Sequence, residues 1–116
     1  MLGLAFKPES DDIRDSPSLD VAARLHDLGA TVVATDPEAI ENSRRRYPEI
    51  TYTTDVDEAL AGADAVVVVT EWKQFRALDP AATAAKVANT FLVDGRNCLD
   101  PAAWRAAGWE YRGLGR

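Results

Sequence analysis

Residues 63–80 read Ala-Asp-Ala-Val-Val-Val-Val-Thr-Glu-Trp-Lys-Gln-Phe-Arg-Ala-Leu-Asp-Pro. Ala65 to Val69 is an unbroken apolar run of strand length, rich in valine, and suits a strand covered on both faces. The stretch ends on a helix start. Asp79 can accept hydrogen bonds from the free amides of a first turn, and Pro80 presets φ while giving up no needed N–H. Ser16-Pro17, Asp36-Pro37 and Asp100-Pro101 repeat the device. Thr54-Asp55, followed by Asp57 and Glu58, is a fifth start, with acidic residues where a helix N-terminus favours them.

Further strands are expected between these starts: Leu2 to Phe6, Thr31 to Thr35, Ile50 to Thr53 and Phe91 to Val93. Gly29 is placed to end the first helix. Within that helix Val21, Leu25 and Leu28, spaced i, i+4 and i+7, mark the face expected to pack. Strand and helix alternate to the end of the chain, with a short tail at Trp109 to Arg116. Such alternation makes a parallel sheet with helices on both sides and right-handed crossovers. The 116 residues are expected to form one doubly wound α/β domain.

Composition narrows the function. Thirteen basic against nineteen acidic side chains give a net charge of −6, the wrong sign for non-specific nucleic-acid binding. One cysteine and one histidine exclude an intrachain disulfide and a multi-cysteine or histidine-cluster metal site. No run approaches the roughly 20 apolar residues of a membrane span. Met1 is followed at once by a turn-rich segment and no secretory leader, so a cytoplasmic location is expected.

Ligands of doubly wound folds bind beyond the carboxyl ends of the strands. The segments there are Lys7 to Ser16, Thr70 to Arg76 and Asp94 to Asn97. They hold Lys7 and Lys73 together with Arg14, Arg76 and Arg96, a basic lip on an acidic domain. An anionic ligand such as a pyrophosphate requires such a lip. The first strand-to-helix turn lacks Gly-x-Gly-x-x-Gly and carries Pro8, so it cannot wrap a dinucleotide in the usual manner. Asp36 stands where a ribose-binding acid would, but Pro37 beside it favours a helix cap. Trp72 and Phe75, at i and i+3, either line the cleft or pack in the core. The run Arg44-Arg45-Arg46 reads as a solvated face suited to a helix C-terminus. Cys98 reads as a packed or free thiol.

Residues 3–37, GLAFKPESDDIRDSPSLDVAARLHDLGATVVATDP, resemble the opening of the C-terminal domain of the UDP-glucose/GDP-mannose dehydrogenase family. Thr35 replaces the aromatic residue that the family places before Asp-Pro. ADAVVVVTEWKQFRALD at 63–79 and LVDGRNCLD at 92–100 match two further blocks in order. Thr-Glu-Trp followed by Phe-Arg looks most like the members that oxidise UDP-glucose.

The resemblance implies a Rossmann-like three-layer sandwich with strand order 3-2-1-4-5 and room for a sixth short strand at Trp109 to Tyr111. It implies that Lys7 and Arg96 contact the nucleotide-sugar, UDP-glucose or UDP, and that Arg14 reaches toward NAD. Asp11, Asp12 and Asp15 are alternative partners for Arg14. Family members oxidise the sugar C6 alcohol to a carboxylate in two NAD-dependent steps. Their NAD-binding domain, central helix and catalytic cysteine precede this domain. The chain alone carries no catalytic residue and is expected to form no NADH. Its implied partner is the rest of the dehydrogenase chain, itself expected to be a homo-oligomer without nucleic-acid or membrane partners. The readings beside it are a UDP-N-acetylhexosamine or GDP-mannose dehydrogenase and a free-standing nucleotide-sensing or assembly module.

Overall fold

The computed structural model describes residues 1–5 and 17–113. Six helices and five strands follow one another along these residues, alternating except where α4 leads directly into α5: α1 Pro17–Asp27, β1 Val33–Ala34, α2 Ile40–Arg46, β2 Thr51–Tyr52, α3 Val56–Leu60, β3 Val66–Val68, α4 Lys73–Arg76, α5 Pro80–Ala84, β4 Phe91–Asp94, α6 Pro101–Ala106 and β5 Glu110–Gly113. Every strand pairing is parallel, β1 with β2 and β3 with β4 and then β5. The expected parallel α/β architecture is the one observed.

Leu2 joins the two ladders. It bridges Thr35 on one side and Val68 on the other, both in parallel. Its N–H donates to the Val67 carbonyl at 2.7 Å, and its own carbonyl accepts from Val69 N–H at 2.9 Å. Read through Leu2, the order is β2, β1, Leu2, β3, β4, β5. Among residues 1–5 the expected strand at Leu2 to Phe6 is a bridge at Leu2, and Phe6 lies outside the described residues.

Three starts follow the expected chemistry. Asp55, Asp79 and Asp100 are the N-caps of α3, α5 and α6, each accepting a backbone N–H of the first turn. The fourth differs. α2 begins at Ile40, and its N-cap Ala39 has no side-chain cap. Asp36, expected to cap it, is 1% exposed and turned into the molecule.

The packed face of α1 also departs from expectation. Ser18, Leu19 and Ala22 are buried, whereas Val21 is 39% and Leu28 74% exposed. Leu25 of the expected face does pack against the core, so the buried face runs over residues 18, 19, 22 and 25 and overlaps the expected one there. Small side chains at 18 and 22 let the helix lie close on the sheet, and Ser18 Oγ donates to the Val69 carbonyl at 3.3 Å. The core runs from Leu2 and Leu4 through Val66, Val68 and Leu92 to Trp104, Trp109 and Tyr111. At its far end Trp104 and Trp109 meet edge to face, 5.1 Å apart and 69° between planes.

Candidate functional site

The carboxyl ends of the strands carry three connected anchors. The first is Asp36, two residues after β1. Its Oδ2 accepts from Leu4 N–H at 2.8 Å, Ala5 N–H at 3.0 Å and the Trp72 indole N–H at 3.0 Å. Its Oδ1 accepts from Glu38 and Ala39 N–H, both at 2.8 Å. Both oxygens act only as acceptors, as an ionised carboxylate does. Asp36 therefore ties the segment leaving Leu2, the loop after β1 and the loop after β3 together. The helix-cap reading recovers only its contacts to residues 38 and 39.

Thr70 is the second anchor. It is buried, and its hydroxyl donates to the Ala5 carbonyl at 2.8 Å. Ala5 is thus held at its N–H by Asp36 and at its carbonyl by Thr70, immediately before the segment bearing Lys7. Lys7 and Arg14 lie outside the described residues.

Asp94, the last residue of β4, is the third anchor and is fully buried. Oδ2 accepts from the Tyr111 hydroxyl at 2.6 Å and Leu99 N–H at 2.9 Å, and Oδ1 from Arg96 N–H at 3.1 Å. The Cys98 thiol approaches Oδ1 at 3.7 Å. Gly95 N–H donates to the Val68 carbonyl at 2.8 Å, and Asn97 adopts φ 52°, tolerated by asparagine. This loop delivers Arg96, half-buried, whose Nε donates to the Val69 carbonyl at 2.9 Å. The arginine thus sits across the carboxyl ends of β3 and β4.

Trp72 and Phe75 are buried in the core. Of their two expected roles the structure places them in packing: Phe75 from the short helix α4 and Trp72 through its bond to Asp36. That helix lies within the segment Thr70 to Arg76 beyond the end of β3. The arginine run is on the exposed side of α2. Arg44 pairs with Glu41 at 2.9 Å and lies over the Tyr52 ring, 5.8 Å from its centroid. Beside it an open depression of about 450 Å³ lies beyond β1 and β2, lined in part by Ile40, Tyr52 and Thr53.

Burial disfavours the charged form of Asp94, but the donors from Tyr111, Leu99, Arg96 and Cys98 outweigh it and lower its pKa below the ordinary carboxylate value. The unfolded chain then takes up this proton at higher pH than the folded one. The stabilisation is complete above the ordinary carboxylate pKa of about 4 and is lost as pH falls through the depressed value. Urea midpoints should show wild type ahead of Asp94→Asn by a constant margin from pH 5 to 8. The margin should shrink below about pH 4; one unchanged at pH 3 would assign the difference to packing. Burial, then the charge and hydrogen bond of Asp94, push the Cys98 thiol up to about 11. A thiol so held is mostly protonated at neutral pH and is a poor nucleophile.

The Asp-Pro pair marks Asp36 as a cap and the 92–100 block includes Asp94, but neither signal shows the long-range bonds that each carboxylate makes. Tyr111 carries none as a site residue, because its partner is 17 positions away.

Parallel α/β sheets of this class take their ligands beyond the carboxyl ends of the strands, the end at which Arg96 is held. The chain belongs to the UDP-glucose/GDP-mannose dehydrogenase family: the model of its UDP binding domain matches residues 1–101. The UDP-glucose 6-dehydrogenase of Rhizobium meliloti is 42% identical over 116 residues, covering 100% of this chain and 26% of that protein. The NDP-N-acetyl-D-galactosaminuronic acid dehydrogenase of Methanosarcina mazei superposes with a TM-score of 0.87 at 30% identity, covering 100% of this chain and 24% of that one. A UDP-glucose dehydrogenase of Pyrobaculum islandicum gives 0.78 at 35% identity, covering 97% and 24%. The chain thus spans about a quarter of the length of these relatives.

Proposed function

We propose that this chain is the nucleotide-sugar-binding domain of a UDP-glucose 6-dehydrogenase, an enzyme that oxidises UDP-glucose to UDP-glucuronate with two NAD. The observation that carries the reading is Arg96, fixed at its backbone by Asp94 and at Nε by Val69 on the strand ends where such folds take anionic ligands. A planar guanidinium suits bidentate contact with a phosphate. Lys7 adds a point charge from the segment that Asp36 and Thr70 hold at Ala5. Arg14 is assigned to the cofactor.

The described residues do not fit NAD itself. The acid at the ribose position, Asp36, is buried with both oxygens engaged by five N–H donors, so it has no capacity for a ribose. Hydride transfer belongs to another part of the longer enzyme, and this domain supplies one wall of the substrate cleft. Among the described residues no helix is long and apolar enough to cross a membrane. A cytoplasmic, homo-oligomeric enzyme without nucleic-acid partners is the accompanying proposal. The reading as an N-acetylhexosamine dehydrogenase is favoured by the superposition on the Methanosarcina protein. The higher identity to the Rhizobium and Pyrobaculum proteins supports glucose instead.

The test is titration of the chain with UDP, UDP-glucose and NAD, followed by backbone amide NMR shifts. UDP should bind with a dissociation constant near ~1 mM, about 4 kcal/mol, as befits a half-cleft open to water. Affinity should fall with salt, since exposed charges are screened over about 8–10 Å. Shifts should centre on residues 94–98. Tighter binding of NAD than of UDP, or shifts confined elsewhere, would overturn the assignment.

A further inference from the structure

We propose that Tyr111 is a positioning residue for the Arg96 guanidinium, acting through the Asp94 carboxylate. The inference rests on the reading of Arg96 as the anion ligand and extends it to β5. Tyr111 lies beyond residues 1–101, the part matched by the family model.

The relay consists of three short links. Tyr111 is buried on β5, and its hydroxyl donates to Asp94 Oδ2 at 2.6 Å, the short range of a bond to an ionised oxygen. Leu99 N–H fills the same oxygen from the far end of the loop. With Oδ2 held, the carboxylate plane is fixed and Oδ1 is presented to Arg96 N–H at 3.1 Å. Rotation about the Asp94 side chain would break both sets of bonds together. The Arg96 side chain then reaches sideways to the Val69 carbonyl through Nε at 2.9 Å, and the same carbonyl accepts from Ser18 Oγ at 3.3 Å.

Arg96 is therefore tethered at its backbone and at Nε before any ligand arrives. An arginine side chain loses substantial rotamer freedom when it is immobilised on a ligand, and ordering it beforehand removes part of that cost. Tyr111 also packs. Its ring lies under the Arg105 guanidinium at 5.5 Å, and its carbonyl accepts from Arg105 Nη2 at 3.3 Å. Neither contact needs the hydroxyl, so Tyr111→Phe separates packing from positioning.

The experiment reads the Arg96 Nε–Hε resonance of the 116-residue chain by NMR and compares binding of UDP with that of uridine. In wild type the Arg96 Hε should exchange with water several-fold more slowly than that of exposed Arg44. Exchange at equal rates would overturn the tether without any variant. In Tyr111→Phe the Arg96 Nε–Hε signal should shift and lose protection. UDP affinity should fall about 2- to 10-fold, the worth of one hydrogen bond. Uridine, without phosphate, should bind as it does to wild type. A variant with lowered melting temperature but an unchanged Arg96 signal and an unchanged ratio of UDP to uridine affinity would reduce Tyr111 to packing and overturn the proposal. Loss of Arg96 protection in a chain that fails to bind UDP would support the positioning role and overturn the ligand reading alone.

Discussion

Asp36→Ala is expected to cost the fold about 4 kcal/mol, the scale reached when several N–H donors each lose about 1 kcal/mol with their acceptor. Five N–H groups lose their acceptor at once: Leu4, Ala5, Glu38, Ala39 and the Trp72 indole. A methyl group cannot replace a carboxylate at a site 1% exposed, and water has little access there. The two readings of Asp36 differ in magnitude. A helix cap is worth about 1 kcal/mol, whereas an acceptor shared by three chain segments is worth several times that. At roughly 4 °C per kcal/mol the melting temperature should fall by about 15 °C. Asp36→Asn keeps the shape but turns one acceptor oxygen into a donor, so it should lose more than half as much. Trp72→Phe, which removes one donor and leaves the carboxylate in place, should cost less than either. Urea denaturation of the three variants gives the ranking. A loss under 1 kcal/mol for the alanine variant would return Asp36 to the rank of a cap.

Local chemistry was legible in the sequence and long-range chemistry was not. Asp55, Asp79 and Asp100 bond to amides two or three residues on, so their roles are written beside them. Asp36 opens with the same Asp-Pro pair, yet its main partners are 31, 32 and 36 positions away. Spacing along the chain carries no trace of such contacts. The packed face of α1 is likewise set by a long-range contact, Ser18 to Val69. Val21 and Leu28 of the expected stripe are exposed, whereas Leu25 packs against the core beside the buried Ser18, Leu19 and Ala22. The place of Arg96 just after β4 was legible because its loop is local to the strand end. What fixes it, Asp94 and Tyr111, became visible only when β4 and β5 lay side by side.

Gly3→Ala should be of comparable severity, about 4 kcal/mol, for reasons of geometry alone. Gly3 has φ +109°, a conformation that costs a residue with a Cβ about 1–2 kcal/mol. A Cβ there would also lie 2.5 Å from Thr70 Oγ1 and 2.6 Å from both Thr70 Cβ and Thr70 N. One of these atoms is backbone, so no rotamer change of Thr70 relieves the contact. The chain leaving β3 would have to shift, and such overpacking costs about 1–3 kcal/mol more. The shift would strain the Thr70 bond to the Ala5 carbonyl and the Gly3 N–H bond to Thr35, two of the bonds that seat the first segment between the ladders. Gly29→Ala is the matched control. Its φ is +98°, and no atom lies within 4 Å of the added carbon, so it incurs the torsional term without the clash. The gap between the two unfolding free energies measures the close approach of Gly3 to Thr70. A gap of about 2 kcal/mol or more is expected, and equal losses would show that the two segments do not meet as described.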